Sequence, residues 1–174
     1  IVTDITANKR TEAALMESER VHRSLFEGMA QGVIIYDGAS RPLFSNPAAA
    51  EMFGAAAAES GSVRVDPAPP QILGEDGTVL EERRLPHIHA LRNRSEVRDQ
   101  IMKCRRPGDE IDRWILASAF PKYLPGESSP YRVFATYTDV ARMKLAEEAL
   151  RETESRFRSM LDLTPDSISI TRLS

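Results

Sequence analysis

The chain has 174 residues, of which 41% are hydrophobic and 28% charged, with a formal net charge of -3 at pH 7 and a single cysteine. That length supplies one core of domain size plus peripheral helices, and the scattered Lys and Arg form no single-signed block, so nucleic acid is not an expected partner. One cysteine excludes an internal disulfide framework, no apolar run approaches a membrane span and the N-terminus is not a signal peptide; a cytoplasmic setting without direct membrane contact is expected.

Residues 1–3 read as the end of a strand, and Thr6 or Asn8 as the cap of a helix over about 9–29 that stops at Gly28 to Gly32. Residues 33–36 and 43–45 flank the Asp37-Gly38 turn and predict a hairpin. Asn46 caps a helix through Phe53, and Pro47 at its first position lacks a donor that the first turn would orphan. From 55 to 70 the pattern dissolves into Ala, Gly, Ser and proline. Pro86 begins a short helix to Leu91. Residues 96–104 and 111–120 read as long strands joined by the Arg106-Pro107-Gly108-Asp109 turn, and after a loop over 125–130, residues 131–138 alternate as the last strand. This order predicts an α+β fold: one five-stranded antiparallel sheet with helices on one face and flanking helices at each end. Trp114, Phe120 and Phe134 are expected in its packed surfaces.

The segment 3–36 recurs at 138–171, displaced by 135 positions. Thr3, Asp4, Lys9, Glu12, Leu15 and Ser24 meet Thr138, Asp139, Lys144, Glu147, Leu150 and Ser159. Such a period is too long for a solenoid and suits whole small domains strung together by helices. The expectation is a window of a longer protein, in keeping with the absent initiating methionine. Residues 1–7 would end a preceding module, 8–28 form a linker helix, 29–140 a complete core, 141–160 a second linker helix and 161–174 the start of a following module.

Asp4-Ile5-Thr6 and Asp139-Val140-Ala141, each followed by a Lys-Ala-Glu-like helix, resemble the Asp-Ile-Thr terminus of PAS sensory domains. Ser24-Leu25-Phe26-Glu27, Gln31 to Asp37, Asn46-Pro47-Ala48-Ala49-Ala50 and Phe53-Gly54 are similar to the opening of a PAS core. Gly74-Glu75-Asp76-Gly77-Thr78, Leu85 to Leu91 and Arg113-Trp114-Ile115-Leu116 to Phe120-Pro121 resemble the second half of bacterial PAS domains. The resemblance implies a PAS-like sheet with a ligand cavity between sheet and helices. Apolar strand and helix faces must converge on any such pocket, which predicts a lining of Val33, Ile35, Phe44, Met52, Phe53, Ile88, Leu91, Ile115 and Phe134.

In the second linker helix Met143, Leu150 and Phe157 fall seven apart, with Ala146, Thr153 and Met160 three residues after each, the seam of a short parallel coiled coil. The equivalent earlier seam is Asn8, Leu15 and His22 with Thr11, Ser18 and Leu25, and is more polar. Packing of each helix on its own domain is the competing reading. In tandem PAS proteins such helices carry rotation or register changes to an effector, which assigns signal transmission to Asp4, Asp139, Met143, Leu150 and Phe157.

Few residues suggest chemistry. Cys104 lies on a predicted strand rather than beside an Asn at a helix start, as the flavin-adduct motif of light-sensing relatives requires, so it reads as a half-buried structural thiol. His87 and His89 lie where haem-binding PAS domains place an axial ligand. Residues two apart on a helix point about 200° apart, so they cannot form a paired metal site and at most one faces the cavity. His22 is followed by Arg23 rather than the acidic residue of a kinase phosphorylation site and reads as core-edge packing. Glu81 and Glu82, and Asp109, Glu110 and Asp112, read as solvated turn faces. No phosphate loop, metal cluster or nucleophile elbow appears. The resulting expectation is a non-catalytic sensory and dimerisation module, acting as a homodimer through its linker helices and upstream of a histidine kinase or diguanylate cyclase. No motif demands a cofactor, and a small-molecule ligand remains open. The alternatives are a ligand-free structural spacer and a haem-based gas sensor using His87 or His89.

Overall fold

The computed structural model describes residues 3–54 and 69–162, and the chain divides into two compact units at the 139/140 boundary. The first unit opens with α1 (Thr3–Gly28). Its Ala, Leu, Glu, Lys and Arg content favours helix throughout, and Gly28 ends it. The expected strand end over 1–3 is corrected at Thr3, which is already helical. A strand needs a neighbouring strand to satisfy its backbone, and among the described residues none pairs with Thr3, while residues 1 and 2 lie outside them.

The hairpin of β1 (Gly32–Asp37) and β2 (Pro42–Ser45) forms as expected. The Asp37 carboxylate closes its turn by accepting from the Ala39 and Arg41 backbone N–H groups, both at 2.9 Å. α2 (Pro47–Phe53) follows, capped by the Asn46 side chain and ended by Gly54 at φ 75°, a left-handed conformation that glycine adopts without steric cost. β3 (Gln71–Leu73) leads through a tight turn and the 3₁₀ turn Glu82–Arg84 to α3 (Pro86–Asn93), which begins with proline at its first position. β4 (Val97–Arg105), β5 (Arg113–Lys122) and β6 (Arg132–Asp139) complete the unit.

All pairings are antiparallel, in the order β2-β1-β6-β5-β4-β3. The predicted α+β architecture holds, and among the described residues the sheet has one strand more than the five expected. The sixth, β3, sets Gln71, Ile72 and Leu73 against Arg105, Cys104 and Lys103 at the sheet edge. Three residues after a proline-rich stretch give no readable period, so its signal is tertiary rather than local. α2 packs on β1 and α3 across β4, β5 and β6.

The second unit contains α4 (Ala141–Asp162), along which Met143, Leu150, Phe157 and Met160 are exposed. The expected start of a following module lies, from residue 163 on, outside the described residues. No helix among the described residues is long and apolar enough to cross a membrane.

Candidate functional site

The pleat sorts the sheet into two faces. Register places Ile34 of β1 beside Ala135 of β6 and Ala119 of β5, and Tyr36 beside Val133. These residues join Met102, Cys104, Ile115, Ala117 and Tyr137 in the core, together with Met52 and Ala90 of the two helices. Ala90, Ala117, Ala119 and Ala135 are each 0% exposed, and their small side chains allow close approach of helix and sheet.

Inside this apolar core sits a polar aromatic cluster. The hydroxyls of Tyr36 and Tyr137, 101 residues apart in sequence, lie within 3.2 Å. The ring of His87 stacks on Tyr36 at 3.9 Å and 2°, and Phe53 meets Tyr137 edge-on at 4.7 Å. Only one hydroxyl can donate within the tyrosine pair, so the hydrogen of the other points elsewhere. His87 Nδ1 is buried and has no hydrogen-bond partner among the described residues. Burial also fixes the charge states. Desolvation pushes Tyr36 up to about 12 against the opposing hydrogen bond from Tyr137, holds Tyr137 well above the usual phenol range and pushes His87 down to about 4. All three are neutral at pH 7, so the cluster offers an O–H donor and an imidazole nitrogen without net charge.

Asn46 ties this interior to the entry helix. Its Oδ1 accepts from the N–H groups of Val33 at 2.8 Å and Ala49 at 3.0 Å. Its Nδ2 donates to the carbonyls of Gln31 at 2.8 Å and Phe26 at 3.2 Å. One fully buried side chain thereby joins the end of α1, the start of β1 and the first turn of α2. Beside it, Gln31 Nε2 donates to Thr138 Oγ1 at 2.9 Å, linking the segment after α1 to the C-terminal end of β6.

Residues 20–98 match the family model described as PAS domain. Over that segment the chain is similar to a PAS domain. Among solved structures it is similar to an RNA-binding light-oxygen-voltage receptor, with a TM-score of 0.58 and 17% identity over 81% of this chain. The match spans 38% of that receptor, well under two thirds of its length. It is also similar to a sensory box histidine kinase/response regulator from Burkholderia thailandensis E264, with a TM-score of 0.52 and 21% identity over 80% of this chain and 98% of that one. No curated protein matches in sequence.

Within the PAS-like core the expected pocket residues divide between the two faces. Met52, Phe53, Leu91 and Ile115 pack together in the core and Ile88 is buried in α3. Ile35, Phe44 and Phe134 are paired in register on the opposite face, and Val33 shares their strand parity. Trp114 and Phe120 lie on that face too, half-buried beneath cations: Lys103 over Trp114 at 4.4 Å and Arg98 over Phe120 at 5.3 Å. Sequence reading missed Tyr36, Tyr137 and Gln31. Tyr137 had a detectable signal in its alternation with Thr136 and Thr138 on a strand otherwise apolar at inward positions. Asn46 was legible only as a cap.

His87 and His89 have separate surroundings, the first in the aromatic cluster and the second beside Arg84 in a surface cleft. Cys104 is buried, its Sγ 3.8 Å from the Met52 carbonyl, and desolvation pushes its thiol up to about 11, so it stays protonated at pH 7. His22 is exposed on α1. Asp109 and Asp112 pair with Arg106 and Arg105 at 2.7 Å. No group of three or more metal-ligating side chains converges among the described residues.

Proposed function

We propose that this PAS domain is a non-catalytic sensory and dimerisation module that detects a small molecule or partner and passes the change through its linker helices to a downstream effector. The observation that carries the reading is the neutral Tyr36, Tyr137 and His87 cluster. A donor hydrogen and a ring nitrogen without partners among the described residues, inside an apolar core, lose hydrogen-bond energy that a fitting ligand restores. The ligand-contacting set then comprises Met52, Phe53, Ile88, Leu91 and Ile115 from the expected lining, joined by the three polar rings, while Val33, Ile35, Phe44 and Phe134 belong to the outer face.

Transmission follows from connectivity. Tyr137 precedes Thr138 and Asp139, after which the chain enters α4, and Asn46 and Gln31 join the end of α1 to the same interior. A ligand that prefers one arrangement of these contacts shifts the population of that arrangement. Asp4 in α1 and Asp139, Met143, Leu150 and Phe157 at the exit are the transmitting positions in this reading. The effector is a histidine kinase or a diguanylate cyclase beyond residue 174, residues 29–140 are the sensing core, and residues 1–7 and 161–174 belong to neighbouring modules. The protein works in the cytoplasm, as a homodimer through the helices 8–28 and 141–160, without nucleic acid or direct membrane contact.

Mass spectrometry of small molecules released from freshly purified protein tests the reading. A stoichiometric neutral compound, lost in the double variant Tyr137→Phe with His87→Phe, is the expected result. Protein that releases nothing and gains no stability from any cell extract is a spacer. A Soret band in the absorption spectrum identifies the haem sensor instead.

A further inference from the structure

On the side of α3 turned away from His87 there is an open cleft of about 640 Å³. Its lining includes Asp76, Leu80, Arg84, His89, Asp99 and Ile101. Arg84 and Asp99 carry opposite charges and line the same cleft, yet neither side chain has a hydrogen bond or ion pair among the described residues. Arg84 acts on Asp76 only through space, and Asp76 Oδ1 accepts from the Thr78 N–H at 3.0 Å and the Thr78 hydroxyl at 2.7 Å. His89 Nδ1 is buried and has no hydrogen-bond partner among the described residues.

Asp99 reaches the cleft because of a local irregularity. β4 bulges between Val97 and Gln100, and Asp99 adopts φ 52° within the bulge, where its N–H is held by Ser118 Oγ at 3.0 Å. A bulge redirects a side chain that strict alternation would place elsewhere, and aspartate tolerates the left-handed backbone better than most residues. The outcome is a site in which Arg84 and Asp99 have no side-chain partner among the described residues, with Glu75 and Asp76 also in its lining and the aliphatic walls of Leu80 and Ile101.

We infer that this cleft binds a small amphoteric solute of the free amino-acid class. Its carboxylate lies against Arg84 with the His89 imidazole beside it, its ammonium against Asp99, and its aliphatic side chain on Leu80 and Ile101. A purely anionic ligand meets Glu75, Asp76 and Asp99 of the cleft lining as repulsive neighbours, and a purely cationic one meets Arg84. Only a molecule with both charges satisfies both groups, so the arrangement discriminates by repulsion as well as attraction. The site is separate from the aromatic interior and does not depend on what that interior binds.

Three matched probes test it by calorimetry on the whole chain: L-leucine, 4-methylpentanoate, which lacks the ammonium, and 3-methylbutylamine, which lacks the carboxylate. L-leucine is expected to bind at millimolar concentration or better, with each partial analogue weaker by roughly tenfold or more. Arg84→Gln and Asp99→Asn are each expected to weaken L-leucine by roughly tenfold, and Arg132→Gln, on the far face of the sheet, to leave it unchanged. Asparagine keeps the left-handed preference at position 99, so that variant retains its fold. Equal binding of the three probes, no heat from L-leucine at millimolar concentration, or unaltered affinity in folded Arg84→Gln protein overturns the inference.

Discussion

Removing the Asn46 side chain strands the buried N–H groups of Val33 and Ala49 and takes the donor from the half-buried carbonyls of Phe26 and Gln31. Loss of a helix cap together with unsatisfied buried groups is expected to cost Asn46→Ala about 2–4 kcal/mol. A fall in the urea midpoint at unchanged slope checks this, and a loss below about 0.5 kcal/mol rules out the hub. Asn46→Asp is expected to fare no better, since its second oxygen faces two carbonyl oxygens. The cap itself was legible in the pair Asn46-Pro47, but the bonds to Phe26 and Gln31 depend on how the chain returns after α1, which no local pattern records. His87 gives a second expectation at this scale. Burial depresses its folded pKa to about 4, so an unfolded chain near the ordinary histidine value takes up the proton first. The folded state therefore keeps this contribution above about pH 6.5 and loses it as pH falls toward 4, by about 2 kcal/mol at about pH 5 and about 3 kcal/mol at the limit. His87→Phe retains the stacked ring without the titrating nitrogen and is expected to flatten that part of a stability profile measured from about pH 7.5 to about pH 4.5. An equal acid slope in wild type and variant would sink the assignment.

Among the elements, existence was easier to read than facing. The run Val33-Ile34-Ile35-Tyr36 is apolar at every position, so a period of two identifies a strand there without saying which side is inward. The same holds for Val133, Phe134 and Ala135 in β6, where the small residue points inward and the large one outward. What settles the face is register against the alanines of β5 and the approach of α3, both tertiary. Long helices, capped α2 and the strands around the Arg106-Pro107-Gly108-Asp109 turn were legible because their signals are local; β3 was not, since its three residues acquire meaning only beside Lys103 to Arg105. The face assignment is open to direct test. Ala117→Leu inserts a large side chain under α3 in a position with no exposed surface and is expected to destabilise by about 1–3 kcal/mol or more. Thr136→Val, on the opposite face, is expected to stay within about 0.5 kcal/mol. Denaturation midpoints in the reverse order would mean that the faces have been exchanged.

At the level of the whole chain, the displacement of 135 between the segments 3–36 and 138–171 suits a relay of modules joined by helices, with the PAS core as one station. The two helices differ in what they offer a partner. The α1 seam includes Ser18 and His22, whereas α4 presents Met143, Leu150, Phe157 and Met160, all of them exposed. Exposed apolar side chains at heptad spacing gain the most from a second copy of the same helix, because each then fills the gap between residues of its neighbour. Replacing Leu150 and Phe157 together by Asp sets like charges face to face in that seam, where an unpaired desolvated charge is strongly unfavourable. The expected result is a dimeric wild-type chain and a monomeric double variant by light scattering, with the near-ultraviolet signal of Trp114 and the core tyrosines unchanged. Leu15→Asp in α1 is expected to weaken the dimer less, since that seam is already polar. A wild-type chain that stays monomeric at high concentration would remove the α4 seam as a dimer contact, and a full-length protein whose effector responds normally with both Asp substitutions in place would remove it from signal transmission.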